Sequence, residues 1–202
     1  MTILIIILGL LPGFAWLFFY LQEDLHPEPK RLIALVFLAG AASAIFALIV
    51  QLFITCGITY HFTDCQEKLR INAELTPFLI LAFAFIEEIS KFGAAYFSIH
   101  KSKFFDEPID AMVYMAVAAL GFATIENLAA LSGGGNQAGI LNAVFEIASF
   151  RFVGTTLLHT FTSSLLGYYW ALSIRNFRSK KFIVAGVILA TSCIMQDTSW
   201  TP

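Results

Sequence analysis

Residues 75–99 read LTPFLILAFAFIEEISKFGAAYFSI. A helix needs about 20 apolar residues to cross a roughly 30 Å hydrocarbon core, and this stretch has the length, yet Glu87, Glu88 and Lys91 sit near its middle. Each charged side chain held at the centre of a membrane helix costs about 2.5 to 3.5 kcal/mol on insertion scales, so such a residue is read first as a functional group. Helical spacing puts Lys91 at i+4 from Glu87 and i+3 from Glu88, where it can pair with one carboxylate and lower the insertion cost of the cluster. The other carboxylate then needs a proton or a group from a second helix.

The rest of the chain has the same character. Of 202 residues, 58% are hydrophobic and 13% charged, against about 25% charged in soluble domains. Runs at 3–21, 32–54, 109–131 and 152–174 are also long enough to span, and a further run at 182–195 is short. The expected fold is all-α: a polytopic transmembrane helical bundle of five full spans plus a short sixth, one domain over 1–202, with the lipid bilayer as its solvent. The first run has no basic region before it and ends in Trp16, Phe18, Phe19 and Tyr20, so it reads as a retained helix and not a cleaved signal peptide. The apolar piece at 140–150 is too short to span and is expected to lie in the interface or re-enter the bundle. Thr76-Pro77 and Glu107-Pro108 read as N-caps followed by a first-turn proline.

Net charge, -2, says little; the placement of Lys and Arg says more. Loops after the first, third and fifth spans carry Lys30, Arg31, Lys101, Lys103, Arg175, Arg178, Lys180 and Lys181, whereas the alternate loops carry Lys68, Arg70 and Arg151. The positive-inside rule then makes this a multi-pass cell-membrane protein with its N-terminus outside. Cys56 and Cys65 fall in the outer second loop, where a disulfide and two free thiols are both open readings, and Cys193 reads as a buried thiol. No Cys-x-x-Cys spacing signals zinc, and no basic patch interleaved with aromatics signals nucleic acid.

Two other spans carry polar groups. Glu126-Asn127 lies about a turn from the expected outer end of the fourth. In the fifth, Arg151, Thr155, His159 and Ser163 recur every four residues and would stack on one helix face, with Thr162 beside them. A polar stripe in an apolar span faces protein or a watered cavity. Glu87, Glu88, Glu126, Asn127 and His159 lower their burial cost by converging on one wet pocket. Crowded carboxylates in a low-dielectric site resist ionising together, which leaves one poised as a general base or acid. A carboxylate base can activate water, while imidazole and amide donors can stabilise the oxyanion of a tetrahedral intermediate, so the reaction class is amide hydrolysis. With no serine in a nucleophile elbow and no His-Glu-x-x-His, the carboxylates carry the catalysis themselves or hold a metal.

Glu87-Glu88-x-x-Lys91, then Asp110-x-x-x-Tyr114 leading into Gly121-Phe122-Ala123-x-x-Glu126-Asn127, then His159 with Thr162 and Gly167, together resemble the PrsW family of intramembrane proteases. That family is itself similar to the CAAX prenyl endopeptidase superfamily. The likeness runs over about residues 10 to 175 and includes Asp24 and Pro27-Glu28-Pro29 in the first cytoplasmic loop. It implies Glu87, Glu88, Glu126 and His159 as catalytic residues, with Lys91, Asn127 and Asp110 in support. For Asp110, first-turn stabilisation by the helix dipole is an equal reading. The resemblance also implies a single-span membrane protein as substrate, of the anti-sigma-factor kind, cut as the opening step of a signalling cascade. The family continues with a further polar motif in the last helix, whereas residues 196–202, QDTSWTP, close this chain in a way that suits a truncated copy.

The expected activity is therefore peptide hydrolysis by glutamate-activated water with no cofactor. One alternative keeps the residues and makes it a zinc protease, the metal held among Glu87, Glu88, Glu126 and His159, an unusual donor set for zinc. A second is a non-catalytic membrane scaffold or immunity protein. A proton-coupled carrier is disfavoured by the lack of internal repeats.

Overall fold

The computed structural model describes residues 2–22, 28–59, 76–132, 140–176 and 179–197. Among them the chain forms α1 (Thr2–Gln22), α2 (Lys30–Thr59), α3 (Thr76–Ile99), α4 (Asp110–Ser132), α5 (Ile140–Val153), α6 (Thr155–Arg175) and α7 (Lys180–Asp197), and no strand. Three stretches, Ile3–Gln22, Lys30–Thr55 and Asp110–Ser132, are long and apolar enough to cross a membrane. α3 and α6, with 24 and 21 residues, have the length at 1.5 Å per residue but carry the charged and hydroxyl groups of the site.

α4 is the hub, packed against α6, α2 and α1 and more lightly against α3 and α5; α7 closes on α6 and α3, and α2 on α3. Its small residues explain this placement. Ala111, Ala116, Ala118, Ala119, Gly121 and Ala123 are all buried, and small residues let membrane helices approach closely enough for dispersion to hold them without a hydrophobic drive. At Gly121 a Cβ would collide with the carbonyl of Phe37 on α2, and at Gly167 one would lie 2.7 Å from the carbonyl of Ala111. Only glycine allows these crossings. Large apolar side chains of α1 and α2, such as Ile3, Phe18, Leu38, Phe46 and Phe53, point outward, as lipid contact requires.

Three sequence expectations are corrected. The fifth span does not run unbroken from 152: α5 ends at Val153 and α6 starts at Thr155, with Gly154 between them at φ -80 and ψ -86. The carbonyl of Phe152, near this break, accepts the Trp16 indole N–H from α1 at 2.9 Å. Arg151 therefore sits on α5 and does not share a helix face with His159. α4 begins at Asp110, two residues after Pro108, because the Asp110 carboxylate turns back to accept the N–H groups of Asp106 and Glu107 at 3.1 and 2.9 Å. Residues 140–150 are helical, as part of α5. Cys193 is a free thiol; pairing of Cys56 with Cys65 lies outside the described residues.

Candidate active site

Five helices send polar groups to one place. From α3 come Glu87, Glu88 and Lys91; α4 brings Glu126 and Asn127, α5 Arg151, α6 Thr156, His159, Thr162 and Ser163, and α2 Gln51. The adjacent glutamates diverge, since neighbouring residues on a helix point about 100° apart. Glu88 is fully buried and meets the Lys91 ammonium at 2.8 Å. The Ser163 hydroxyl donates across both of its oxygens at 3.2 and 3.1 Å, and Thr162 lies 3.4 Å from Oε1 while also donating to the His159 carbonyl at 3.1 Å. Glu87 turns elsewhere and accepts the Gln51 amide at 3.0 Å.

Lys91 bridges the two halves. Its Nζ is 2.7 Å from His159 Nδ1 and 4.6 Å above the Phe122 ring. On the other edge of the imidazole, Nε2 lies 2.7 Å from Glu126 Oε2, with Arg151 Nη2 at 3.8 Å. Oε2 is buried, and this close approach of the imidazole is its main polar contact. Arg151 Nε donates to Asn127 Oδ1 at 2.7 Å, and Asn127 Nδ2 donates to Thr156 Oγ1 at 3.1 Å. Glu126 and Arg151 keep 19% and 20% exposure and Glu87 is half-buried, so these three form the more open rim of the cluster.

Glu87, Glu88, Lys91, Glu126, Asn127, His159, Thr162 and Ser163 thus meet in one network. Thr155 does not join it; the hydroxyl that does is Thr156, the neighbour turned toward α4. Asp110 stands sixteen residues from Glu126, about 24 Å along the helix axis. There its carboxylate orders the α3–α4 turn, beside Tyr114, whose hydroxyl donates to Glu28 at 2.6 Å. Sequence reasoning missed Gln51 and Thr156. A signal existed for the first: one amide inside the apolar run 44–54 is as costly in lipid as the polar groups that drew notice.

A model of the PrsW family intramembrane metalloproteases matches residues 28–196. The chain belongs to the PrsW family. Protease PrsW of Geobacillus kaustophilus is 29% identical over 163 residues, 80% of this chain and 63% of that protein. Those of Oceanobacillus iheyensis and Bacillus subtilis are 28% and 29% identical, over 88% and 76% of this chain and 74% and 65% of theirs. This PrsW-family chain therefore spans a little under two thirds of the first relative's length. No solved structure matches it significantly.

The family description raises the question of a metal. Ligand atoms of Glu87, Glu126 and His159 all lie within 4.8 Å of one another, and the buried Glu126 Oε2 would welcome a cation. The imidazole is what does not fit. A metal-bound histidine gives one nitrogen to the ion and donates its other N–H to a carboxylate or carbonyl acceptor; here the other nitrogen faces the Lys91 ammonium, which has only donors. The spacing suits an ion and the histidine does not.

Proposed function

We propose that this chain is an intramembrane endopeptidase that hydrolyses a peptide bond with glutamate-activated water and no metal. The observation that carries the reading is the convergence of Glu87, Glu126 and His159, from three helices of an apolar bundle, to within 4.8 Å. Three carboxylates, Glu87, Glu88 and Glu126, share the site with two cations, Lys91 and Arg151, so one net negative charge remains while His159 is neutral. Lys91 is committed to Glu88 and Arg151 leans on Glu126, whereas Glu87 has the Gln51 amide. Among the described residues Glu87 is then the carboxylate with no cation in direct contact, the one best placed to take a proton from water.

In the proposed reaction a water beside Glu87 and His159 gives its proton to Glu87 while its oxygen attacks the peptide carbonyl carbon. The carbonyl π electrons move to oxygen, and the oxyanion accepts a hydrogen bond from the His159 imidazole. When the intermediate collapses, the C–N bond breaks and the leaving nitrogen takes the proton held by Glu87, which yields a new carboxyl end, a new amine and the starting carboxylate. Glu126 steadies His159, Asn127 and Thr156 steady Arg151, and Glu88 acts through Lys91. The proposed substrate is a single-span membrane protein of the anti-sigma-factor kind. The N-terminus is proposed to lie outside, which puts the rim of the site in the outer half of the bilayer.

Co-expression with tagged single-span membrane proteins encoded near the gene tests the activity: a fragment should form with wild type and not with Glu87→Gln. Cleavage by the purified protein should persist in a strong chelator. Loss of cleavage in chelator and its return with zinc would overturn the metal-free route.

A further inference from the structure

We infer that Lys91 is a positioning residue that fixes the tautomer of His159, keeping the single ring proton on Nε2. The inference deepens the proteolytic reading of this site and rests on it for its functional meaning. It starts from Glu88, which is fully buried and surrounded by donors: Lys91 at 2.8 Å, Ser163 at 3.2 and 3.1 Å, and the Thr162 hydroxyl at 3.4 Å. A buried carboxylate ringed by donors calls for a cation as its partner, and Lys91, equally buried, is that partner. An ammonium has three donors and no lone pair. At 2.7 Å from Lys91 Nζ, His159 Nδ1 can therefore only accept.

A neutral imidazole has one donor and one acceptor nitrogen, so the proton goes to Nε2, the nitrogen that lies 2.7 Å from Glu126 Oε2. An imidazolium would set a second N–H against the ammonium, with like charges in contact. The groups that bear on the ring are Lys91, Glu88, Glu87, Glu126 and Arg151, and among them the ammonium alone touches Nδ1. His159 is thereby left as a donor: it can steady Glu126, a water or an oxyanion, but Nε2 has no lone pair for a proton or an ion. The ammonium does from the inner side what a carboxylate does for a catalytic histidine that must act as a base, with the opposite tautomer as the result.

The test is imidazole 15N NMR of the full chain in lipid nanodiscs at neutral pH, labelled in histidine, with His159 assigned by comparison with His159→Gln. The wild type should show Nδ1 unprotonated and Nε2 protonated, and added zinc should leave both resonances in place. Lys91→Met should move the proton to Nδ1 or spread it over both nitrogens, and lower kcat about a hundredfold or more with KM within a few-fold. Lys91→Arg should keep the Nε2 proton. A wild-type proton on Nδ1, a zinc-induced shift at Nε2, or a Lys91→Met spectrum identical to wild type overturns the inference. Should Lys91→Met fail to fold, the wild-type and Lys91→Arg spectra decide. Glu87→Gln should be inactive and keep the wild-type tautomer, so failure of the proteolytic reading would be seen separately from failure of the tautomer lock.

Discussion

Replacing Glu88 with leucine isolates the Glu88–Lys91 pair, because both side chains are fully buried and 2.8 Å apart. Removal of one partner of a buried pair costs about 3 to 5 kcal/mol, mainly from the charge left behind. Ser163 also loses its acceptor, which adds about 1 kcal/mol. Against this, Lys91 keeps the Phe122 face at 4.6 Å, worth up to about 2 kcal/mol when desolvated, and His159 Nδ1 at 2.7 Å. The net expectation for Glu88→Leu is a loss of about 3 kcal/mol, roughly a hundredfold in the folded-to-unfolded ratio. Glu88→Leu combined with Lys91→Met should return to within about 1 kcal/mol of wild type, since apolar residues of similar volume replace buried pairs at little cost. That double variant should still be inactive. Reversible unfolding in mixed micelles, followed by tryptophan fluorescence, measures the whole cycle. A single variant as stable as wild type, or a double variant as unstable as both losses added, would refute the assignment of Lys91's charge to Glu88.

Gln51→Leu removes the hydrogen bond that Glu87 accepts from the Gln51 amide; a bond to a charged group is worth about 1.5 to 3 kcal/mol, so kcat should fall at least tenfold in a single-turnover assay while the protein still accumulates in the membrane. Gly121→Leu places side-chain atoms where the Phe37 carbonyl lies and should lower stability by about 2 kcal/mol or more, read in the same micelle assay. For orientation, Glu146 and Lys101 are both exposed and lie on opposite sides of the proposed topology. In a background lacking the native cysteines, Glu146→Cys should react with a membrane-impermeant thiol reagent in intact cells, and Lys101→Cys only after permeabilisation; the reverse pattern inverts the topology.

The clustering of these polar groups was legible because lipid makes charge conspicuous. Lys91 at i+3 from Glu88, and the recurrence of His159, Thr162 and Ser163 on one helix, follow from helical period alone and recur in the structure. What was not legible depended on a backbone event or on another helix. An isolated glycine is tolerated in most helical patterns, so the run 152–174 gave no sign that Gly154 would break it and hand Arg151 to α5. With the break, Thr156 and not Thr155 reaches Asn127. Asp110 matched a motif, but its carboxylate is occupied by the N–H groups of Asp106 and Glu107, a local use that neighbouring sequence alone cannot separate from a distant catalytic one.

The division of labour between Glu87 and Glu88 follows from the same physics. Two consecutive residues on a helix point about 100° apart, so here the Glu-Glu pair supplies two different environments within one site. Glu88 turns into the α6 face, where lysine and serine satisfy it; in the proposed reaction it serves as the partner that holds Lys91 in place. Glu87 turns toward Gln51, with one amide in place of a cation, and stands with Glu126 and His159. Glu87 is half-buried, as are Glu126 and Arg151, which remain about a fifth exposed. In the proposed reaction the buried glutamate holds the lysine, the lysine orients the histidine, and Glu87, with no cation in contact among the described residues, is left to act on water.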